Sequence, residues 1–242
     1  MENSRALRFV MPFIVGVGFL LLWEFLVRVN GVPEFVLPAP SRIGASLVTN
    51  FGSLMGSLWI TLRITLMAFV LAVIGGVGLA ILFSQSRIVE AAFFPYAVIL
   101  QVTPVVSIAP LILIWVGFDR TELALLIIAW IVAFFPILSN TTLGLRSADH
   151  NLRDLFRLYG ASRWQVLSEL QLPSALPYML AGMKISGGLA LIGAVVAELD
   201  IPKMFAALLL LSTLGIVLFF VLSWAEHRLL SRWHESALKR ES

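Results

Sequence analysis

Long apolar runs separated by short polar segments make up most of this chain. Six runs approach or exceed the roughly 20 residues that a helix needs to cross the hydrocarbon core of a bilayer. They cover about residues 9–27, 61–83, 91–116, 123–143, 175–197 and 203–224. The pattern predicts an all-α polytopic membrane protein with about six transmembrane helices, organised as a single domain over residues 1–242.

Composition points to the same class of protein. Hydrophobic residues make up 60% and charged residues 13% of the 242 residues, and the mean hydropathy is +0.96. Soluble domains carry about 25% charged residues, so an ordinary soluble protein is excluded. The absence of cysteine excludes disulfides, thiol catalysis and Cys-ligated metal sites.

The distribution of Lys and Arg predicts the orientation in the membrane. Eleven flank the span ends on the side of the amino terminus, and four flank the opposite ends. The positive-inside rule then places both termini and the polar segment of residues 146–173 in the cytoplasm. This placement accounts for the net charge of +3 without a nucleic-acid partner. Arg63 and Lys184 fall within spans, close enough to a helix end that we expect both to snorkel to the interface.

The polar segment between the fourth and fifth spans is amphipathic. Apolar residues recur at helical spacing from Leu152 to Tyr159, Gly160 interrupts them, and the pattern resumes until Leu172 and Pro173 end it. We therefore predict two short helices hinged at a glycine. Two interpretations remain open: a helix pair that anchors in lipid headgroups, and a docking element whose apolar side inserts into a groove on a soluble partner.

The spacing in this segment resembles the EAA loop of permeases from binding-protein-dependent ABC importers. That loop reads Glu-Ala-Ala, three residues, Gly, nine residues, Ile, one residue, Leu-Pro. The matching positions here are Asp154, Leu155, Phe156, Gly160, Leu170, Leu172 and Pro173. The opening triplet keeps the acid but not the two small residues. The stretches VPEFVLPAPSRI, QVTPVVSIAPLILIWVGF, WIVAFFPILSNTTLGL and LPSALPYMLAGMKISGGLALIGAVVAEL are similar to the nitrate, sulfonate and taurine branch of that family.

The resemblance implies a type I ABC importer permease fold with a cytoplasmic coupling helix, in the bacterial inner membrane. The implied partners are a second copy of the permease, a cytoplasmic ABC ATPase dimer that binds ATP and Mg, a periplasmic substrate-binding protein and membrane lipid. No cofactor or metal is expected on this chain, which is not itself an enzyme. The residues expected to dock on the ATPase are Asp154, Leu155, Phe156, Gly160, Ala161, Ser162, Leu170, Leu172 and Pro173.

One feature departs from the family. Only three residues, Leu199, Asp200 and Ile201, separate Glu198 from Pro202, where family members usually carry a longer external segment. A link this short can join two antiparallel helices. We nevertheless expect a deletion here, or a flexible stretch missing between Leu199 and Asp200.

Prolines and polar residues inside the spans indicate a candidate translocation path. Pro104 and Pro110 deprive the carbonyls of Leu100 and Val106 of their helical donors, which predicts a kinked third span. Broken backbone at membrane depth is tolerated where it is buried in protein or lines a wet cavity. The candidate path residues are Gln101, Thr103, Pro104, Ser107, Pro110, Ser139, Asn140 and Glu198, with helix packing as the alternative role.

Stripes of small residues predict close helix packing in two spans. They are Gly182, Ser186, Ala190 and Ala194 in the fifth span, and Ala72, Gly76 and Ala80 in the second. The sequence contains no phosphate-binding loop, zinc motif or nucleophile elbow. Energy for transport must therefore come from another subunit. An ion-coupled secondary transporter or an integral-membrane enzyme is the alternative class, which carboxylates in mid-span would favour.

Overall fold

The computed structural model describes residues 3–192 and 201–230, and these ranges fold into helices and short connections. The helices are α1 (Asn3–Val29), α2 (Pro40–Thr49), α3 (Phe51–Gln85), α4 (Arg87–Val102), α5 (Val105–Val116), α6 (Thr121–Arg146), α7 (His150–Leu158), α8 (Arg163–Gln165), α9 (Leu172–Ile192) and α10 (Ile201–Leu230). A 3-10 turn, Phe118–Arg120, precedes α6, and a π-helical turn, Val166–Gln171, joins α8 to α9.

Four stretches of the described chain are long and apolar enough to cross a membrane. They are Val10–Val29, Phe51–Gln85, Phe118–Arg146 and Ile201–Leu230. The bent pair of α4 and α5 meets the same criterion when taken as one span, which raises the number to five. The predicted fifth crossing corresponds to α9, which is described as far as Ile192. The all-α polytopic class is confirmed.

The third predicted span is two helices rather than one kinked helix. The axes of α4 and α5 differ by 106° across a break at Thr103 and Pro104. Thr103 is extended, with φ −68° and ψ 123°, because the residue before a proline avoids helical geometry. Pro104 has no N–H to continue α4, and its carbonyl accepts from the N–H of Ser107 at 2.9 Å as α5 begins. Pro110 lies inside α5 and does not end it.

The described helices fall into two compact units, of which the first contains α1, α2, the start of α3 and the first part of α10. The proline-rich segment after α1 is a loop that ends in a helix that the hydropathy pattern did not indicate. Pro40 is the first residue of α2, where the missing N–H has no cost. Glu24 of α1 then caps α2, because its carboxylate accepts from the N–H of Ser41 at 3.0 Å and from its hydroxyl at 2.8 Å.

The second unit is built on α6. Ala133, Ile137 and Leu138 of this helix are almost completely buried and belong to a cluster that includes side chains of α3, α4 and α9. The predicted small stripe of α3 lies in this packing: Ala72 and Ala80 are fully buried, and Gly76 lies against α6. These residues therefore pack helices together, as predicted.

The small residues of α9 lie against α6 in an antiparallel arrangement. A Cβ added at Gly182 would lie 2.9 Å from the carbonyl oxygen of Pro136. Ser186 is fully buried, and its hydroxyl donates to the carbonyl of Ala133 at 2.7 Å. Ala190 is also buried, whereas Ala194 lies outside the described residues. Close packing of α6 against α9 therefore depends on the absence of larger side chains along this stripe.

The two charged residues within spans form ion pairs, and the expectation that they snorkel to the interface stays a prediction. The ammonium of Lys184 lies 2.6 Å from a carboxylate oxygen of Glu226 on α10 and 5.2 Å from the centroid of the Phe219 ring. Arg63 pairs with Glu122 at the start of α6. The partners lie far from Lys184 and Arg63 in sequence, which explains why position along a span could not indicate them.

Lys184 and Glu226 can be tested by single and double substitution. Their side chains are only 22% and 18% exposed, and removing one partner of such a pair costs about 3–5 kcal/mol, whereas apolar replacement of both is close to neutral. We expect Lys184→Met to lower the Tm of the detergent-solubilised chain and Lys184→Met/Glu226→Met to recover most of the loss, as followed by tryptophan fluorescence. A double variant no more stable than the single variant would contradict this account.

Candidate functional site

The segment that follows α6 begins each of its two helices with a side-chain cap. The carboxylate of Asp149 accepts from the N–H of Asn151 at 2.7 Å and from that of Leu152 at 3.3 Å, which starts α7. Ser162 and Gln165 form a capping box at α8. The N–H of Gln165 donates to the Ser162 hydroxyl at 3.3 Å, and the N–H of Ser162 donates to the Gln165 side-chain oxygen at 2.8 Å. Local sequence therefore determines where both helices start.

Gly160 produces the turn between these helices. Its φ is +70°, a left-handed conformation that favours glycine. The N–H of Gly160 donates to the carbonyl of Arg157 at 3.0 Å, and the N–H of Ala161 donates to that of Phe156 at 2.9 Å. This pair of bonds is the Schellman motif that ends helices. The turn falls where the apolar pattern predicted an interruption.

The second helix does not end at Leu172 and Pro173, in contrast to the prediction. It continues from α8 through the π turn into α9. Pro173 has no N–H for the carbonyl four residues earlier. In the wider π turn the N–H of Leu172 instead donates to the carbonyl of Leu167, five residues back. The helix therefore passes through the proline, and the segment is continuous with a membrane span.

Long side chains attach this segment to the ends of neighbouring helices. Arg153 of α7 donates through Nη2 to the carbonyl of Leu145 at 2.7 Å, and Gln171 donates to the same oxygen at 3.4 Å. Arg163 donates to the carbonyl of Gln85, the last residue of α3, at 3.4 Å. Sequence reasoning did not single out these contacts, because a hydrogen bond to a backbone carbonyl leaves no trace in a hydropathy pattern.

The remaining surface of α7 is apolar and exposed. We define the docking face as Leu152, Leu155, Leu158 and Tyr159, which recur at helical spacing and are 44%, 44%, 85% and 83% exposed. Asp154 lies beside them, and its carboxylate pairs with His150 at 3.0 Å and with Arg157 at 3.4 Å. Leu158 and Tyr159 were part of the apolar pattern but not of the predicted site. Their position at the end of α7 is the signal that could have identified them.

The predicted docking residues occupy three kinds of environment. The exposed ones are Leu155, Gly160, Ser162 and Pro173. The half-buried ones are Asp154, Phe156, Ala161 and Leu172, and the buried one is Leu170. Leu172 packs against the core cluster around α6, and Leu170 is 7% exposed. Leu170 therefore presents almost no surface to a partner, and part of Leu172 is taken up by packing against the core.

The predicted path residues separate into two groups. Gln101, Thr103, Pro104, Ser107 and Pro110 lie at or near the break between α4 and α5, and all but Thr103 are exposed. The hydroxyl of Thr103 is used at the end of α4, since it donates to the backbone carbonyl of Ile99 at 2.6 Å. Asn140 belongs to the contact between α6 and α9, where its amide donates to the carbonyl of Pro136 at 2.8 Å. Ser139 is half-buried on α6, and Glu198 lies outside the described residues.

Candidate small-molecule sites are scarce in the part of the chain that the structure describes. No group of three or more His, Asp or Glu residues within it could hold a metal ion. A surface cavity of about 610 Å³ is lined by residues of α3, the 3-10 turn and the start of α6. Its charged residues are paired, Arg63 with Glu122 and Arg120 with Asp119, so it carries no net charge that would select an ion.

Comparison with known proteins gives the family. The family described as the inner membrane component of binding-protein-dependent transport systems matches residues 72–201. The riboflavin transport system permease protein RibX of Chloroflexus aurantiacus is 34% identical, over 90% of this chain and 87% of its own length. The formylaminopyrimidine transport permease protein ThiX of Halalkalibacterium halodurans is 31% identical, over 94% and 97%. The chain belongs to this family of inner membrane components.

Two further similarities agree with that assignment. The aliphatic sulfonates transport permease protein SsuC of Bacillus subtilis is 33% identical, over 74% of this chain and 65% of its own length. A crystal structure of an amino acid ABC transporter matches with a TM-score of 0.60 at 17% identity, over 78% of this chain and 97% of that chain, which shows a shared fold. The resemblance to ABC importer permeases is confirmed. The chain is a permease subunit that assembles with a separate ATPase and a binding protein, and it is not itself an enzyme.

Substitution of Gly160 tests the left-handed turn. An alanine at φ +70° costs about 1–2 kcal/mol, while asparagine tolerates this conformation better. No atom lies within 4 Å of an added Cβ, so backbone strain alone separates the two variants. We expect amide hydrogen exchange in α7 to be faster in Gly160→Ala than in Gly160→Asn. Equal protection in the two variants would show that the turn tolerates any side chain.

Proposed function

We propose that the docking face of α7 binds a cytoplasmic ABC ATPase, and that a dimer of this permease in the bacterial inner membrane forms the path for a small solute. The observation that carries the proposal is an exposed apolar stripe on α7, a short helix that the Gly160 turn joins to α8, which is itself continuous through the π turn with α9. Leu158 and Tyr159 are exposed beyond what a free cytoplasmic surface favours, which supports burial against a partner.

The charges on the segment indicate which kind of ATPase surface would fit the docking face. His150, Arg157 and Arg163 are exposed on the same segment, and Asp154 is already paired with the first two. The segment therefore presents an apolar centre with a basic rim, and a complementary groove is apolar with acidic residues at its edge. ATP and Mg belong to that partner. Gly160, Ala161 and Ser162 form the turn at one end of the face, where close approach of the partner requires small residues.

The solute path is proposed along the break between α4 and α5. Gln101 and Ser107 are exposed polar side chains on either side of this break, and Pro104 and Pro110 occupy the same region. Irregular backbone at membrane depth requires a wet cavity or burial in protein, which supports a cavity here once a second copy is present. Glu198 is kept as a candidate for the outer end of the path.

The names of the relatives support a class of transported solute, and the charge asymmetry supports an orientation in the membrane. The relatives are named for riboflavin, formylaminopyrimidine and aliphatic sulfonates, which supports a small solute of the nitrate, sulfonate and taurine class or a related one, delivered by a periplasmic binding protein. The excess of Lys and Arg on one side supports cytoplasmic termini.

A charge placed on the docking face should prevent assembly. Leu158→Glu puts a carboxylate in the apolar centre, where an unpaired buried charge is strongly unfavourable. We expect the ATPase to be lost from the purified complex while the permease still folds. Val48→Glu on α2 is the matched control, because Val48 is 78% exposed and lies in the other compact unit. Retention of the ATPase by Leu158→Glu would overturn the docking proposal.

Transport itself is tested in vesicles that contain the permease, its ATPase and the loaded binding protein. Uptake should require ATP on the ATPase side and should be unaffected by collapse of ion gradients. Uptake that follows an ion gradient without ATP would instead support a secondary transporter.

A further inference from the structure

The carbonyl of Leu145 receives two side-chain donors from different parts of the docking segment. Leu145 lies in the last turn of α6, where the final four carbonyls have no helical partner and carry the negative end of the helix dipole. Arg153 reaches this oxygen from α7 at 2.7 Å, and Gln171 reaches it from the end of the π turn at 3.4 Å. One backbone atom therefore connects α6, α7 and the π turn.

Arg153 is the stronger of the two connections. Its bond is short and charge-assisted, and such bonds are about twice as strong as neutral ones. The side chain is half-buried, and its Nε is buried with no acceptor among the described residues. Arg157, in contrast, is 78% exposed and pairs with Asp154 on its own helix. Burial of a guanidinium that leaves one donor unpaired is costly, which indicates a role beyond solubility.

The covalent link between α6 and α7 consists of residues 147–149. Ser147 continues the bonding of α6, since its N–H donates to the carbonyls of Leu143 and Gly144, and Asp149 caps α7. Rotation at Ala148, between them, would let α7 move without moving α6. The hydrogen bond from Arg153 to the carbonyl of Leu145, eight residues earlier in the chain, restrains this rotation.

We propose that Arg153 is a positioning residue that clamps α7 to the end of α6, with Gln171 as the weaker second arm, so that movement of the docked ATPase reaches the membrane spans. This inference rests on the proposed docking of an ATPase on α7. Without the clamp, the ATPase still binds α7 and hydrolyses ATP, but part of its movement is absorbed at residues 147–149.

Transport per ATP hydrolysed is the quantity that distinguishes this role. We expect Arg153→Met to lower it about tenfold, equivalent to about 1.4 kcal/mol, with the amount of co-purified ATPase unchanged. Arg153→Lys keeps a charged donor and should lie between Arg153→Met and the unchanged protein. Gln171→Leu should have a smaller effect than Arg153→Met because its bond is longer. Arg87→Met is the control for loss of one exposed positive charge at the start of α4.

A distance measurement tests the clamp independently of activity. The chain has no cysteine, so Leu123→Cys on α6 and Asn151→Cys on α7 place two spin labels on each copy, and assembly with an excess of unlabelled permease restricts the measured pairs to one protomer. In the assembled complex we expect a narrow distance distribution that broadens in Arg153→Met but not in Arg87→Met. This readout also applies if Arg153→Met assembles poorly, since Arg153→Lys and Gln171→Leu provide the same comparison with smaller perturbation.

The outcomes separate the clamp from the docking proposal. Unchanged transport per ATP and an unchanged distance distribution in Arg153→Met would overturn the clamp while leaving docking intact. Failure of the unsubstituted chain to retain the ATPase would overturn the docking proposal itself. Loss of ATPase binding in Arg153→Met alone would also contradict the clamp, because it would make Arg153 a contact residue.

Discussion

Unpaired backbone groups are the constraint on which this structure depends. A membrane supplies no water to satisfy a free N–H or carbonyl, and each unpaired buried group costs about 1–3 kcal/mol. Side chains meet part of this need where helices start or end. Glu24 caps the start of α2, Asp149 and Ser162 cap α7 and α8, and Arg153 bonds the carbonyl of Leu145 in the last turn of α6. Several polar residues of this apolar chain therefore lie where the helices are incomplete.

Close approach explains why α6 is the centre of the second unit. Its neighbours present small residues where they meet it. Gly182 leaves room for the carbonyl of Pro136, and Ser186 donates directly to the backbone at Ala133. Contacts of this type require a fixed register, since a shift of α9 along α6 would bring a larger side chain against the carbonyl. Packing at this helix pair is therefore rigid rather than adaptable.

The sequence was sufficient for features with local causes. Long apolar helices follow from hydropathy, the turn at Gly160 follows from an interrupted pattern, and the two short helices on either side of it follow from helical spacing. Features that depend on distant partners could not be predicted. The pairing of Lys184 with Glu226 joins residues 42 positions apart, and the carbonyl of Leu145 gives no sequence signal. The 106° break was underestimated as a kink because Pro104 shows only that α4 must end, not the direction in which α5 continues.

The docking segment is connected to the spans by two routes of different nature. One is covalent: α8, the π turn and α9 form a continuous helical stretch, so a load on α8 is carried along its axis. The other is the bond from Arg153 to α6. Both routes end in the α6 and α9 pair, whose close packing at Gly182 prevents one helix from sliding past the other. The clamp proposed for Arg153 and the continuous stretch from α8 to α9 would therefore deliver a load on the docking segment to one tightly packed helix pair rather than to two independent helices.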